Sequence, residues 1–253
     1  MLTNINIDEY ENIKEKALDL TYDPYDFQKQ GAVLVDKAYH NDSSAPNILV
    51  AAPTGSGKSF FIHWAAKRAV ETGQKLVVAV PLVALAEQIY AQLRNKLAGV
   101  EVACCPEYPD EYEFGFDYDD DEEYGRYSST TSSYLEPDQD SGESLVGIRT
   151  GPSEKYPDAP VLVCTYEVVL IQMNTNFRFM DNCPMVIIDE IHMLSDPDRG
   201  HVPENIMCHP NLPATTSIVG LSGTLPNVKE LATFIGKCNS KVTHIVGTSK
   251  RPI

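Results

Sequence analysis

The chain has 253 residues, 43% of them hydrophobic, enough for one large α/β domain with a core that needs no staples. No run approaches the roughly 18 apolar residues of a membrane helix, and the opening MLTNINIDEYENIKEK lacks a basic-then-apolar leader, so membrane partners are excluded and an intracellular protein, cytoplasmic or nuclear, is expected. The formal net charge of −16 argues at first against a nucleic-acid partner.

In chain order, short apolar runs alternate with amphipathic helical stretches, the pattern of a parallel sheet covered on both faces. A helix over residues 26–40 precedes a strand at Ile48–Ala52. The strand runs into Ala52-Pro53-Thr54-Gly55-Ser56-Gly57-Lys58-Ser59, a phosphate-gripping loop with Ala52 where the general pattern has its first Gly. Gly55 and Gly57 let the backbone curl so that its N–H groups face phosphates. Lys58 adds a point charge, and Ser59 can place its hydroxyl on Mg²⁺ at the head of a helix over Ser59–Glu71. A strand at Leu76–Val80 and a helix at Val83–Leu97 follow.

Residues 106–143 break the pattern. They hold 14 Asp and Glu against the single Arg126, leaving the other 215 residues at −3, so the folded part is nearly neutral. Without periodicity and rich in Ser, Thr, Gly and Pro, the segment reads as a disordered acidic insertion. It is either a solvated loop or, through its acids and six tyrosines, a nucleic-acid mimic that covers a groove.

The alternation then resumes, with strands near Leu145–Ile148, at Val161–Thr165, Met185–Asp189, Ser217–Leu221 and His244–Val246, and helices at Glu167–Met173, Glu204–Cys208 and Val228–Ile235. The fifth strand of the chain ends in Asp189 and Glu190. Asp189 suits holding Mg²⁺, and Glu190 suits orienting or deprotonating an attacking water. A nucleoside triphosphate site is therefore expected where strands end. The six cysteines include no C-x-x-C pair, so neither a zinc site nor a disulfide framework is suggested.

Taken in order, these motifs resemble the superfamily two helicases of the DExH-box type, and within them the Ski-like RNA helicases that serve the RNA exosome. The resemblance implies a RecA-like P-loop domain over residues 1–253, ATP and Mg²⁺ as cofactors, RNA as partner, and a second RecA-like domain, absent from this sequence, as the source of the arginine fingers. A second-domain polypeptide or an exosome-like complex would be its protein partners. Asp189-Glu190-Ile191-His192 is then the DExH box, with His192 in the catalytic set. The stretch YDPYDFQKQGA is similar to the adenine-side element, implying that Phe27 stacks on the base and Gln28 bonds its edge. Pro81 opens a segment like motif Ia. Thr150, Gly151 and Thr165 match phosphate-contacting positions, and Arg199, in SDPDRG, a groove residue. Glu167 caps or opens the helix after Thr165. Pro203 stands where the family has Trp, and Gly223 replaces the commoner Ala. Ser222 and Thr224 match the motif that couples the triphosphate site to the second domain. Two other readings stay open: a non-catalytic module that binds nucleotide and RNA, a helicase remnant, and a DNA-repair-type helicase domain.

Overall fold

Eight strands make one sheet in the order β4-β3-β5-β2-β6-β7-β1-β8 in the computed structural model, which describes residues 8–11, 13, 23–40, 42, 44–98, 100, 144–223 and 225–248. The strands are β1 Asn47–Ala51, β2 Leu76–Val80, β3 Val146–Arg149, β4 Glu154–Lys155, β5 Val161–Thr165, β6 Met185–Ile188, β7 Ser217–Ser222 and β8 Thr243–Gly247. The helices are α1 Asp8–Glu11, α2 Asp26–Tyr39, α3 Ser59–Thr72, α4 Val83–Leu97, α5 Tyr166–Thr175, α6 His201–Met207 and α7 Val228–Asn239. The acidic insertion and Thr224 lie outside the described residues. Among the described residues, no helix is long and apolar enough to cross a membrane.

The fold is α/β, a mostly parallel sheet with helices on both faces, as the alternating pattern predicts. Successive side chains of a strand point to opposite faces, so buried strands must be apolar on both. Ile48 and Val50 of β1 and Val78 and Val80 of β2 pack in one core with α2, α3 and α4. Leu49, Val77 and Ala79 pack in a second with α5, α6 and α7. Gly73, at φ 64°, ends α3 in the left-handed conformation that glycine adopts without steric cost.

Three features depart from expectation. The two-residue β4 runs antiparallel to β3, with Arg149 opposite Glu154, so the sheet is mixed at that edge. Helix α6 starts at His201 rather than Glu204, because Pro203 falls in its first turn, where a missing N–H costs nothing. A 3-10 helix, Ile191–Ser195, directly follows the acidic pair.

Candidate functional site

Strands β3, β5, β2, β6, β7 and β1 are mutually parallel, so their C-terminal ends share one edge of the sheet. Along that edge, in spatial order, follow Thr150 with Gly151, Thr165, Pro81, Asp189, Ser222 and Ala52. Neighbouring strands lie about 4.8 Å apart, so the acidic box stands roughly 10 Å from the root of the glycine loop. The triphosphate candidates thus fall on one half of the edge and the nucleic-acid candidates on the other.

In the loop, Gly55 and Gly57 have φ of 82° and 84°. A Cβ on Gly55 would meet nothing within 4 Å, so the backbone conformation alone calls for glycine there, whereas one on Gly57 would lie 2.6 Å from Nε2 of Gln28. Lys58 donates from Nζ to the carbonyls of Ala52 (2.9 Å) and Pro53 (3.3 Å), which holds the ammonium across the loop. Thr54 and Ser59 are exposed. Ser56 is buried, and its hydroxyl has no hydrogen-bond partner among the described residues.

The adenine-side expectation needs correction. Phe27 is 5% exposed, its ring packed 6.1 Å from that of Phe61, so no face is open to a base. Gln28 is 1% exposed, and both ends of its amide are engaged. Oε1 accepts from the Tyr25 N–H (2.9 Å) and Nε2 donates to the Gly57 carbonyl (3.0 Å). Gln28 therefore ties the start of α2 to the glycine loop. The open ring is Tyr25, 48% exposed and stacked on Phe27 at 6.2 Å. The sequence reading passed over it, although YDPYDF sets aromatics at both positions.

At the end of β6, the Asp189 N–H donates to the Ala79 carbonyl (2.9 Å), which continues the β2 ladder one residue past the strand. Tyr166, a residue the sequence reading did not single out, donates its buried hydroxyl to the Asp189 carbonyl. Burial first, and the Glu190 charge second, push the Asp189 carboxyl up to about 6, against the Glu190 N–H and the Lys58 ammonium. Such a carboxylate is under-compensated and favours a nearby cation. Glu190 has φ 54°, unusual for a residue with a side chain, and this turns its carboxylate toward His192. Nδ1 of His192 lies 3.1 Å from Oε2 of Glu190 and 3.3 Å from Oγ of Ser222. Pro53, Thr54, Glu190, His192, Ser222 and Gly223 help line a cleft of about 1090 Å³.

The other half of the edge is more closed than expected. Thr150 is 5% exposed, and its hydroxyl accepts from the Ser153 N–H (3.1 Å) in the turn between β3 and β4. Thr165 is also 5% exposed. Gly151 is exposed. Arg199 is turned inward. Its Nε and Nη2 donate to Oε1 of Glu167 (3.0 and 2.6 Å), and Nη2 donates to the Pro81 carbonyl (2.7 Å). Arg199, expected in the groove, thus clamps together the residues that follow β5 and β2. Glu167, in the first turn of α5, is its anchor.

The profile of the DEAD/DEAH box helicases matches residues 34–115 and 139–231. Among curated relatives, Superkiller complex protein 2 of Homo sapiens is 24% identical over 246 residues, 97% of this chain and 15% of that protein. The DExH-box ATP-dependent RNA helicase DExH11 of Arabidopsis thaliana is 24% identical over 244 residues, 96% of this chain and 14% of that protein. The chain therefore spans about one seventh of the length of these relatives. Among solved structures, the Mycobacterium smegmatis helicase Lhr bound to ssDNA and AMP-PNP aligns over 88% of this chain and 27% of that one, with a TM-score of 0.55 and 21% identity, a likeness of fold. The matched residues take in the glycine loop, the acidic box and β7, and the chain belongs to the DEAD/DEAH box helicase family as a superfamily two helicase domain of RecA-like fold.

Proposed function

We propose that this domain binds ATP with Mg²⁺ and hydrolyses it to remodel or unwind RNA when paired with a second RecA-like domain. The observation that carries the reading is the facing of Lys58 and Asp189 across one intervening strand, close enough for the ammonium to stabilise the carboxylate. The donor set fits the magnesium: Asp189 is a half-buried carboxylate lacking full compensation, and Ser59 is exposed at the head of α3. Asp189 and Ser59 would hold the magnesium, which when bound would supply positive charge to offset that of the phosphates.

The chain's own groups supply the rest. The glycine loop and the head of α3 turn backbone N–H groups toward the phosphates. Lys58 adds a charge that need only rotate off two carbonyls. Glu190 accepts a proton from the attacking water, and His192 holds that carboxylate while touching Ser222, so the state of the box is felt by β7. RNA is favoured as partner because matched relatives, DExH11 among them, are named RNA helicases. DNA is the second reading, since Lhr is bound to ssDNA.

The test is ATP turnover with and without single-stranded RNA, and competition of bound RNA by DNA of equal length. An arginine finger is worth about 10³ to 10⁵ in rate, so turnover without a second domain is expected to be slow. Lack of any ATP binding, or turnover indifferent to nucleic acid after a second domain is supplied, would refute the proposal.

A further inference from the structure

Cys208 and Cys238 are 30 residues apart in sequence, and their Sγ atoms are 2.8 Å apart. That separation is inside the van der Waals contact of two sulfurs and within an ångström of the S–S bond length of about 2.0 Å. Cys208 caps the C-terminus of α6 and is exposed, while Cys238 sits in the last turn of α7 and is half-buried. The other described cysteines, Cys164 and Cys183, are buried in the core at 0% and 4% exposure. No group of three or more His, Cys, Asp or Glu among the described residues could hold a metal ion, so the pair is not part of a metal site there.

We propose that Cys208 and Cys238 form a redox-active dithiol that closes to an intramolecular disulfide on exchange with a low-molecular-weight disulfide. The exposed Cys208 thiolate attacks one sulfur of the reagent, forms a mixed disulfide and releases the first thiolate. The Cys238 thiolate then attacks the Cys208 sulfur, forms the Cys208–Cys238 bond and releases the second. Two thiol protons and two electrons leave the protein, and one reagent disulfide becomes two thiols.

The order follows from the surroundings. Burial first, and the Cys208 contact second, push the Cys238 thiol up to about 12, so the exposed partner begins the exchange. Once Cys208 is in the mixed disulfide, its thiol no longer opposes ionisation of Cys238. The bond would join the segment after the acidic box to the one after Ser222, the two arms that carry His192 and Ser222. It does not depend on the nucleotide reading.

The experiment is to hold the 253-residue chain in oxidised glutathione, quench in acid, alkylate free thiols and map peptides without reduction. The expected product is a monomer in which the Cys208 peptide is linked to the Cys238 peptide. Cys238→Ser should halt at the first step, with glutathione retained on Cys208. Glutathione lasting on Cys208 of the unaltered chain beside an alkylated Cys238, linkage only between chains, or full alkylation of both would each overturn the proposal.

Discussion

The guanidinium of Arg199 lies 2.6 Å from Oε1 of Glu167 while the same Nη2 holds the carbonyl of Pro81 at 2.7 Å. One side chain thus ties together the residues that follow two adjacent strands, β5 and β2. At 36% and 44% side-chain exposure, the ion pair is too wet to add more than about 1 kcal/mol. Its worth is positional. Arg199→Ala should lower the Tm by only a few degrees and leave nucleotide affinity unchanged, while single-stranded RNA binding weakens several-fold. Arg199→Lys should not restore it, since an ammonium cannot reproduce the planar fork. Fluorescence anisotropy with labelled RNA checks this, and unchanged RNA affinity in both variants would refute it.

Asp189 carries the clearest pH signature. Its folded-state carboxyl is raised to about 6, so between its ordinary value near 4 and about 6 the folded chain holds a proton that the unfolded chain has lost. Stability falls as pH rises through that window, and the full penalty, about 3 kcal/mol, stands above it. Asp189→Asn removes the charge and can still accept the Glu190 N–H. In magnesium-free buffer the variant should melt several degrees higher near pH 7.5, with the gain fading as pH falls through 6 toward 4. Thermal melts across that range decide, and equal Tm values near neutrality would refute the burial argument.

Gln28 and Tyr25 separate a structural from a contact role at the adenine side. The Gln28 amide is fully engaged with Tyr25 and Gly57, so Gln28→Ala should cost about 1–3 kcal/mol of stability and weaken ATP and GTP alike through the loosened loop. Tyr25→Ala should leave the fold nearly unchanged and weaken ATP about two- to ten-fold, the value of one aromatic stack. Nucleotide affinities and melts on both variants measure the split. Loss of ATP-over-GTP preference in Gln28→Ala with unchanged Tm would return that residue to the base edge.

Much of this architecture is readable in the residues themselves. The strands Leu76–Val80 and Val161–Thr165 and the helix Val83–Leu97 match the sequence reading to the residue, because β-branched runs buried on both faces have sharp polar or proline edges. Glu154–Lys155 had no such signal: two charged residues become a strand only because Arg149 and Ile148 present a partner. Phe27 and Arg199 mark another limit. Composition gives a side chain's affinity for water or apolar surface but not its direction. Arg199 reaches Glu167 and the Pro81 carbonyl, partners far from it in sequence that no local pattern reveals. The meeting of Cys208 with Cys238 depends on the packing of α6 against α7, which no local spacing encodes.

Lys58 and Glu190 should divide binding from chemistry. Lys58→Ala removes the point charge of the glycine loop and the donor that the Ala52 and Pro53 carbonyls share. ATP affinity should drop at least ten-fold, and turnover with it. Glu190→Gln keeps the size of the side chain and, through its amide, a contact to His192, but it cannot accept a proton at neutral pH. Binding should then persist while turnover falls by about 10² or more, the usual share of a general base. Titration of a fluorescent ATP analogue beside steady-state phosphate release checks both. If Glu190→Gln hydrolyses ATP at the unaltered rate, the proton goes elsewhere and the left-handed turn at Glu190 serves only to seat His192 against Ser222.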